Sequence, residues 1–337
     1  MSRMHKPSLL TVGSTKGGTG KTTTLLNLAE LLARYIRVCV VDLHYDNPQH
    51  ARLFGGTPKR EPWLRYIEQG KHITPKFCYD LDRVLCYGPD TKMYKKRESG
   101  DNLWFAFQDP NRKVKHEHAL RDAFKPKPHK LYTDEQSRRL QYTLPLFHEL
   151  ARSGRFDFIL ADIDAGNTDV LGSIGAVLHR GVEGYVVGGE EKELLPVGVK
   201  PYLLTEPLEK CFGNEKPFEN GFRLVITSPS VSDIETLKDR EERFPPMGQN
   251  NHYHIVVNKI SQRYSLEGLA PKVRKLLPEG VFEKRVYLLH DVGRVGFGNI
   301  TDEGYQLTIH GSDTDQVDYK NRLKKLANEL HKVRLAE

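Results

Sequence analysis

Residues 13–24 read GSTKGGTGKTTT, and this stretch decides the fold. The common phosphate loop has Gly, four residues, then Gly-Lys-Ser/Thr. Counting back from Gly20-Lys21-Thr22 puts Thr15, not Gly, at the first position, and a second lysine, Lys16, precedes Gly17 and Gly18. The run SLLTVG (8–13) ahead of the loop reads as a strand. The run TTTLLNLAELLARY behind it repeats Leu25, Leu28, Leu31 and Leu32 near helical spacing. Strand, glycine loop and helix in that order make a cradle for phosphate. Gly17, Gly18 and Gly20 let backbone N–H groups converge on oxygens, and the helix N-terminus adds partial positive charge. Lys21 is placed to reach the β- and γ-phosphates of a nucleotide and Thr22 to offer its hydroxyl to Mg²⁺, with Thr19 and Thr23 completing the expected nucleotide contacts.

Working outward, short aliphatic runs recur at RVCVVD (37–42), DRVLCYG (82–88), FDFILAD (156–162), EGYVVGG (183–189), FRLVITS (222–228), HIVVNK (254–259) and RVYLL (285–289). Continuously apolar strands separated by crossovers predict a parallel sheet covered on both sides. The expected class is therefore α/β: a P-loop NTPase with a mostly parallel twisted sheet of about eight strands and helices on both faces. There is no internal repeat, and the series of strands makes residues 1–337 one domain.

A chain of 337 residues, 38% apolar and 28% charged, can bury the core that such a sheet requires. Neither a signal peptide nor the roughly 18 apolar residues of a membrane span can be found, so the expected location is cytoplasmic. The cysteines, Cys39, Cys78, Cys86 and Cys211, have no C-x-x-C spacing and read as buried thiols. Positive charge is concentrated. Residues 91–130 hold eleven Lys/Arg against five Asp/Glu, while the whole chain has a net charge of +7. That segment reads as a basic insertion. Its aromatics in NLWFAFQ and DAFKPKPHK leave two uses open, a solvated insertion or a surface that grips and stacks on nucleic acid.

The string KGGTGKT resembles the deviant Walker A motif of the ParA/MinD family of partitioning and positioning ATPases. The resemblance implies that two lysines serve two subunits. Lys21 binds phosphates in cis, and Lys16 crosses a homodimer interface to the partner's ATP, so that assembly follows nucleotide state. VVDLHYDNPQHARLFG (40–55) resembles the family's VDLDPQGN segment, with Asp42 at its first Asp. His44 stands where the second Asp falls, and Asp46 follows two residues later. Either an insertion returns Asp46 to the water-orienting position, or that function is lost. FDFILADIDAGN (156–167) resembles Walker B and the switch, which implies Mg²⁺ near Thr22, Asp42 and Asp162 and switch roles for Asp164 and Gly166. IVVNKI (255–260) resembles the adenine-contacting strand, making Asn258 the candidate. VFEKRVYLLHDVGRVGFGN (281–299) is similar to the closing segment of ParA proteins, implying Lys284, Arg285 and Arg294 on a DNA-binding face.

The tail DYKNRLKKLANELHKVRLAE (318–337) is a candidate amphipathic helix, with Tyr319, Leu323, Leu326, Leu330 and Val333 at intervals of three or four. That stripe can pack on the domain or lie on an anionic membrane. Taken together, the resemblance implies an ATP- and Mg²⁺-dependent dimerising ATPase of ParA type. It would bind DNA nonspecifically, associate with the nucleoid, move a plasmid, chromosome or other cargo, and hydrolyse ATP slowly until an activator or adaptor protein engages. The alternatives are a MinD-like membrane positioning ATPase, a small-molecule ligase or kinase on the same fold, and a nucleotide-gated binding module with little hydrolysis.

Overall fold

The computed structural model describes residues 6–14, 16–44, 48–53, 62–63, 81–87, 100–108, 143, 146–163, 217–243, 252–276, 286–292, 300–301, 304–305 and 307–335. Eight strands form one sheet: β1 (Ser8–Ser14), β2 (Val38–Leu43), β3 (Leu85–Tyr87), β4 (Leu103–Ala106), β5 (Phe158–Ile163), β6 (Gly221–Thr227), β7 (His252–Ile260) and β8 (Val286–His290). Their order is β3-β4-β2-β5-β1-β6-β7-β8, and every pairing is parallel except that of β3 with β4. All six residues of β2 and all six of β5 are buried. Such continuous burial is what a parallel sheet covered on both faces demands.

Side-chain alternation divides the core in two. Leu224 and Ile226 of β6 belong to a cluster with α1 (Lys21–Ala33) and the last helix, while Val225 between them joins a second cluster. Successive strand residues point to opposite faces, so these clusters are the two sides of the sheet. Three short or medium helices follow in the chain: α2 (His50–Leu53), α3 (Leu81–Val84) and α4 (Val231–Arg243). Then come α5 (Leu266–Leu276) and α6 (Thr314–Leu335). Ile234 and Leu237 of α4 and Leu266 and Val273 of α5 fill the second cluster.

Helix α6 begins four residues before the expected 318. Four of its five stripe residues, Tyr319, Leu323, Leu326 and Leu330, are buried against α1 and β8, while the side chain of Val333 lies outside the described residues. Two polar ties fix the fit: the Tyr319 hydroxyl donates to Thr24 Oγ1 at 3.3 Å, and Asn27 Oδ1 accepts the Ile309 N–H at 3.0 Å. Among the described residues, no helix is long and apolar enough to cross a membrane. Cys39 is fully buried in β2, and burial pushes its thiol pKa up.

Two sequence readings are corrected here. The run 82–88 is not one strand, since Leu81–Val84 is helical and only Leu85–Tyr87 enters the sheet, as a three-residue antiparallel edge. Asp82 and Arg83 sit in that helical turn. More consequentially, Leu103–Ala106 is no part of an insertion but a parallel neighbour of β2, with Val38↔Leu103 through Val41↔Ala106 in register. Phe105 is 0% exposed and stacks on Phe107 at 5.2 Å, so these rings fill the core and cannot stack on bases. A charge count over forty residues averages away a four-residue apolar run, which is why the strand escaped. The run 183–189, and the parts of 91–130 outside 100–108, lie outside the described residues.

Candidate functional site

The carboxyl ends of β1, β2 and β5 meet at the middle of the sheet, where ligands bind in parallel α/β folds. Register places Asp42 opposite Asp162, and Val12 opposite Asp162 on its other side. The chain leaves β1, passes through the glycine loop and enters α1 at Lys21. Gly18 and Gly20 have φ of 78° and 85°, left-handed values that glycine adopts at little cost. Gly20 is also confined sterically, because a Cβ there would lie 2.4 Å from Asn258 Nδ2. Asn258 in turn donates that amide to Thr19 O at 3.0 Å, tying β7 to the loop.

The loop suits an anion. Helix α1 starts with no side-chain cap and no acidic residue in its first turn, which leaves its first N–H groups for a ligand. Thr19 Oγ1 is buried and has no hydrogen-bond partner among the described residues, a donor that a phosphate would satisfy. These features fit a nucleotide's phosphates. Thr22 and Thr23 occupy the first turn, and Gly17 lies at the exposed mouth.

Lys21 is only 7% exposed. Its ammonium pairs with Asp162 Oδ1 and lies 2.8 Å from His44 Nε2. An ammonium can only donate, so His44 accepts at Nε2 and carries its proton on Nδ1, 2.8 Å from Asp42 Oδ1. His44 N–H also donates to that oxygen, at 3.0 Å. Asp42 Oδ2 accepts the backbone N–H groups of Gln49 and His50, each at 3.2 Å. On the far side, His50 Nε2 lies 2.8 Å from Asp162 Oδ2.

For Asp162, Asp42 and His50 burial works against the charged form, and the partners outweigh it. Burial alone would raise Asp162, yet Lys21 and the two imidazoles hold it far below the usual carboxylate range. Asp42 is lowered in the same way, against burial, by His50 and by the hydrogen bond from His44. For His50 burial favours the neutral ring, but Asp42 and the hydrogen bond to Asp162 prevail and its pKa rises.

Lys16 faces the other way. It is 54% exposed, and its Nζ lies 2.7 Å from Asp233 Oδ2 in the first turn of α4. Asp233 also accepts from the Ser228 hydroxyl, while its backbone N–H donates to Ser230 Oγ at 3.3 Å. The two loop lysines are therefore separated, one turned inward to β5 and the other outward to α4.

The structure thus brings together Lys21, Asp42, Asp162 and Asn258 around the loop. Asp46, Asp164, Gly166, Lys284, Arg285 and Arg294 lie outside the described residues. Sequence reasoning missed three neighbours. His50 and Asp233 carry no local motif, being joined to the loop only by the fold. Lys259, at φ 61° directly after Asn258, donates to Gly18 O. The lysine in VVNKI was its one visible sign.

Comparison with known proteins agrees with this fold. Solved structures share the fold at low identity. MinD complexed with Mg-ADP from Pyrococcus horikoshii OT3 is 15% identical, with a TM-score of 0.53 and 97% of this chain and 98% of that chain covered. The MinC:MinD cell division complex of Aquifex aeolicus is 15% identical, with a TM-score of 0.53 and 96% and 95% covered. A ParA family ATPase from Chlorobium tepidum TLS is 13% identical, with a TM-score of 0.51 and 97% and 100% covered. The sequence matches no curated protein. The model for the CobQ/CobB/MinD/ParA nucleotide binding domain matches residues 10–295, and the chain belongs to that family.

Proposed function

We propose that the protein is an ATP-dependent dimerising ATPase of ParA type that binds DNA nonspecifically and positions a cargo, with hydrolysis stimulated by a partner protein. The observation that carries this reading is the division of labour between the two loop lysines. Lys21 is buried and aimed at the strand ends, whereas Lys16 stands at the exposed mouth on a single carboxylate. A cation so placed can leave Asp233 for a phosphate held by a second copy. Dimerisation then requires a γ-phosphate to neutralise it.

Within one copy, the N–H groups at the start of α1 and Thr19 Oγ1 would bind phosphate oxygens, and Asn258 would hold the loop beside the adenine. Thr22 would hold Mg²⁺, with Asp162 and Asp42 behind it at the strand ends, and the ion would neutralise charge on the β- and γ-phosphates. Lys21, leaving Asp162 and His44 for the nucleotide, stabilises charge that develops during transfer. Asp46 is the water-orienting carboxylate of this reading, since a carboxylate within hydrogen-bond reach can accept a proton of the attacking water. Asp164 and Gly166 form the switch. Lys284, Arg285 and Arg294 contribute to the DNA face, in a chain whose pI near 9.0 favours polyanions.

The test is size-exclusion chromatography with light scattering in ATP, ADP and no nucleotide, followed by DNA retention at two salt concentrations. The reading requires an ATP-specific doubling of mass and retention that falls steeply with salt. Unchanged mass and retention in ATP would end it. The engagement of His44 favours one second reading, a nucleotide-gated module with little hydrolysis, whose mark is ATP retained unchanged in a stable dimer with Mg²⁺ present.

A further inference from the structure

We propose that Asp42, His44 and His50 form a binding site for a divalent transition ion of the zinc class, on the side of the cluster that faces away from Lys21. One carboxylate oxygen of Asp42 and one ring nitrogen from each histidine lie within 4.8 Å of one another, and all three residues are buried. Donors bound to one ion at about 2.1 Å stand roughly 3 to 4 Å apart, so only a small contraction is needed. Two imidazoles with one carboxylate suit Zn²⁺, Co²⁺ or Mn²⁺, whereas Mg²⁺ prefers an all-oxygen shell with water.

The atoms divide cleanly between two tasks. Lys21 takes His44 Nε2 and Asp162 Oδ1. The opposite atoms face one another: His44 Nδ1 is 2.8 Å from Asp42 Oδ1 and 3.8 Å from Asp162 Oδ2, and Asp162 Oδ2 is 2.8 Å from His50 Nε2. Asp162 keeps Oδ1 on Lys21 and accepts from His50 at Oδ2, so the three ligands are Asp42, His44 and His50. The ion would replace the protons on His44 Nδ1 and His50 Nε2. Lys21 opposes a second cation nearby, and two fully buried carboxylates offset it.

The surroundings support the ligands as metal centres require. Asp42 Oδ2 is held by the N–H groups of Gln49 and His50, and the Trp63 indole N–H donates to Asp42 O at 3.0 Å, which fixes the carboxylate with Oδ1 toward the histidines. His50 is fully buried, and with the ion on Nε2 its proton would sit on Nδ1, which has no hydrogen-bond partner among the described residues.

The inference rests on the cluster and not on ATP hydrolysis, although Asp42 belongs to both sites. The test uses the full chain, freed of metal by a chelator and kept without nucleotide. Titration with Co²⁺ should give visible absorption bands of nitrogen- and oxygen-bound cobalt at one ion per chain, displaced by Zn²⁺ but not by millimolar Mg²⁺. His44→Asn and His50→Gln should each weaken Co²⁺ by more than about 100-fold, the upper end of what loss of a supporting residue costs. Thr22→Ala should leave Co²⁺ binding intact while weakening Mg²⁺-nucleotide. Circular dichroism shows whether each variant folds, and a Zn²⁺-dependent rise in the wild-type melting temperature is a readout that needs no variant. The proposal is overturned by silence of the wild type toward Co²⁺ and Zn²⁺, by Co²⁺ binding that survives His44→Asn/His50→Gln, or by its loss in Thr22→Ala. Retained Co²⁺ binding in a protein that ignores ATP would support this site and refute the ATPase reading alone.

Discussion

Lys16 Nζ lies 2.7 Å from Asp233 Oδ2 of the same chain. In this state the lysine that would serve a partner is held at home. Because Lys16 is half exposed, solvent screens the pair and its worth is at most about 1 kcal/mol. Asp233→Asn should therefore strengthen ATP-dependent self-association by no more than about fivefold, while Lys16→Ala abolishes it. Sedimentation across a concentration series measures both. Burial alone would raise Asp233, but Lys16, Ser228 and Ser230 lower its pKa. The pair's contribution is thus complete above the ordinary carboxylate value of about 3.9. Self-association should owe nothing to Asp233 titration between about pH 6 and 8.

Removing Lys21 leaves a buried carboxylate short of its strongest partner. Lys21→Ala should destabilise the nucleotide-free fold by about 3 kcal/mol in urea unfolding at neutral pH. The sign of its pH dependence follows from Asp162, whose folded pKa is depressed. That contribution is present above about pH 4 and lost as pH falls through the depressed value. The deficit of Lys21→Ala should accordingly shrink below about pH 4. A deficit that grows in acid would contradict the pairing.

Gly20→Ala should fail twice. An alanine at φ 85° costs about 1–2 kcal/mol, and its Cβ meets Asn258 Nδ2. The Asn258 amide must then give up Thr19 O. Thermal unfolding should show a loss of about 2 kcal/mol, and nucleotide binding should fall with it. Adding Asn258→Ala should cost less than the sum of the two single changes, since the clash is removed with the amide.

Helix α6 is core material. Leu326→Ala should cost about 2–5 kcal/mol, and a chain ending before residue 318 should not yield folded protein. Because Tyr319, Leu323, Leu326 and Leu330 are already packed, the full chain should not co-sediment with anionic vesicles in any nucleotide state.

The loop, α1 and the Asp-terminated strands β2 and β5 were legible because each is a local pattern. Glycines, two lysines and five threonines share twelve residues, and each Asp follows an apolar run. β4 was not legible, for its four apolar residues sit in a charged neighbourhood and only pairing with β2 reveals them. Nor could His50 or Asp233 be identified. Their meaning comes from distances across the fold, 112 residues from His50 to Asp162 and more than two hundred from Lys16 to Asp233. His44 was visible as an anomaly against a resemblance, but its partners were not.

Asp42 acts as a clasp. One of its oxygens holds the backbone on the near side of residues 45–47, at His44, and the other holds it on the far side, at Gln49 and His50. One buried carboxylate therefore sets the backbone carrying both imidazoles, and Asp42→Asn would loosen His44 and His50 together.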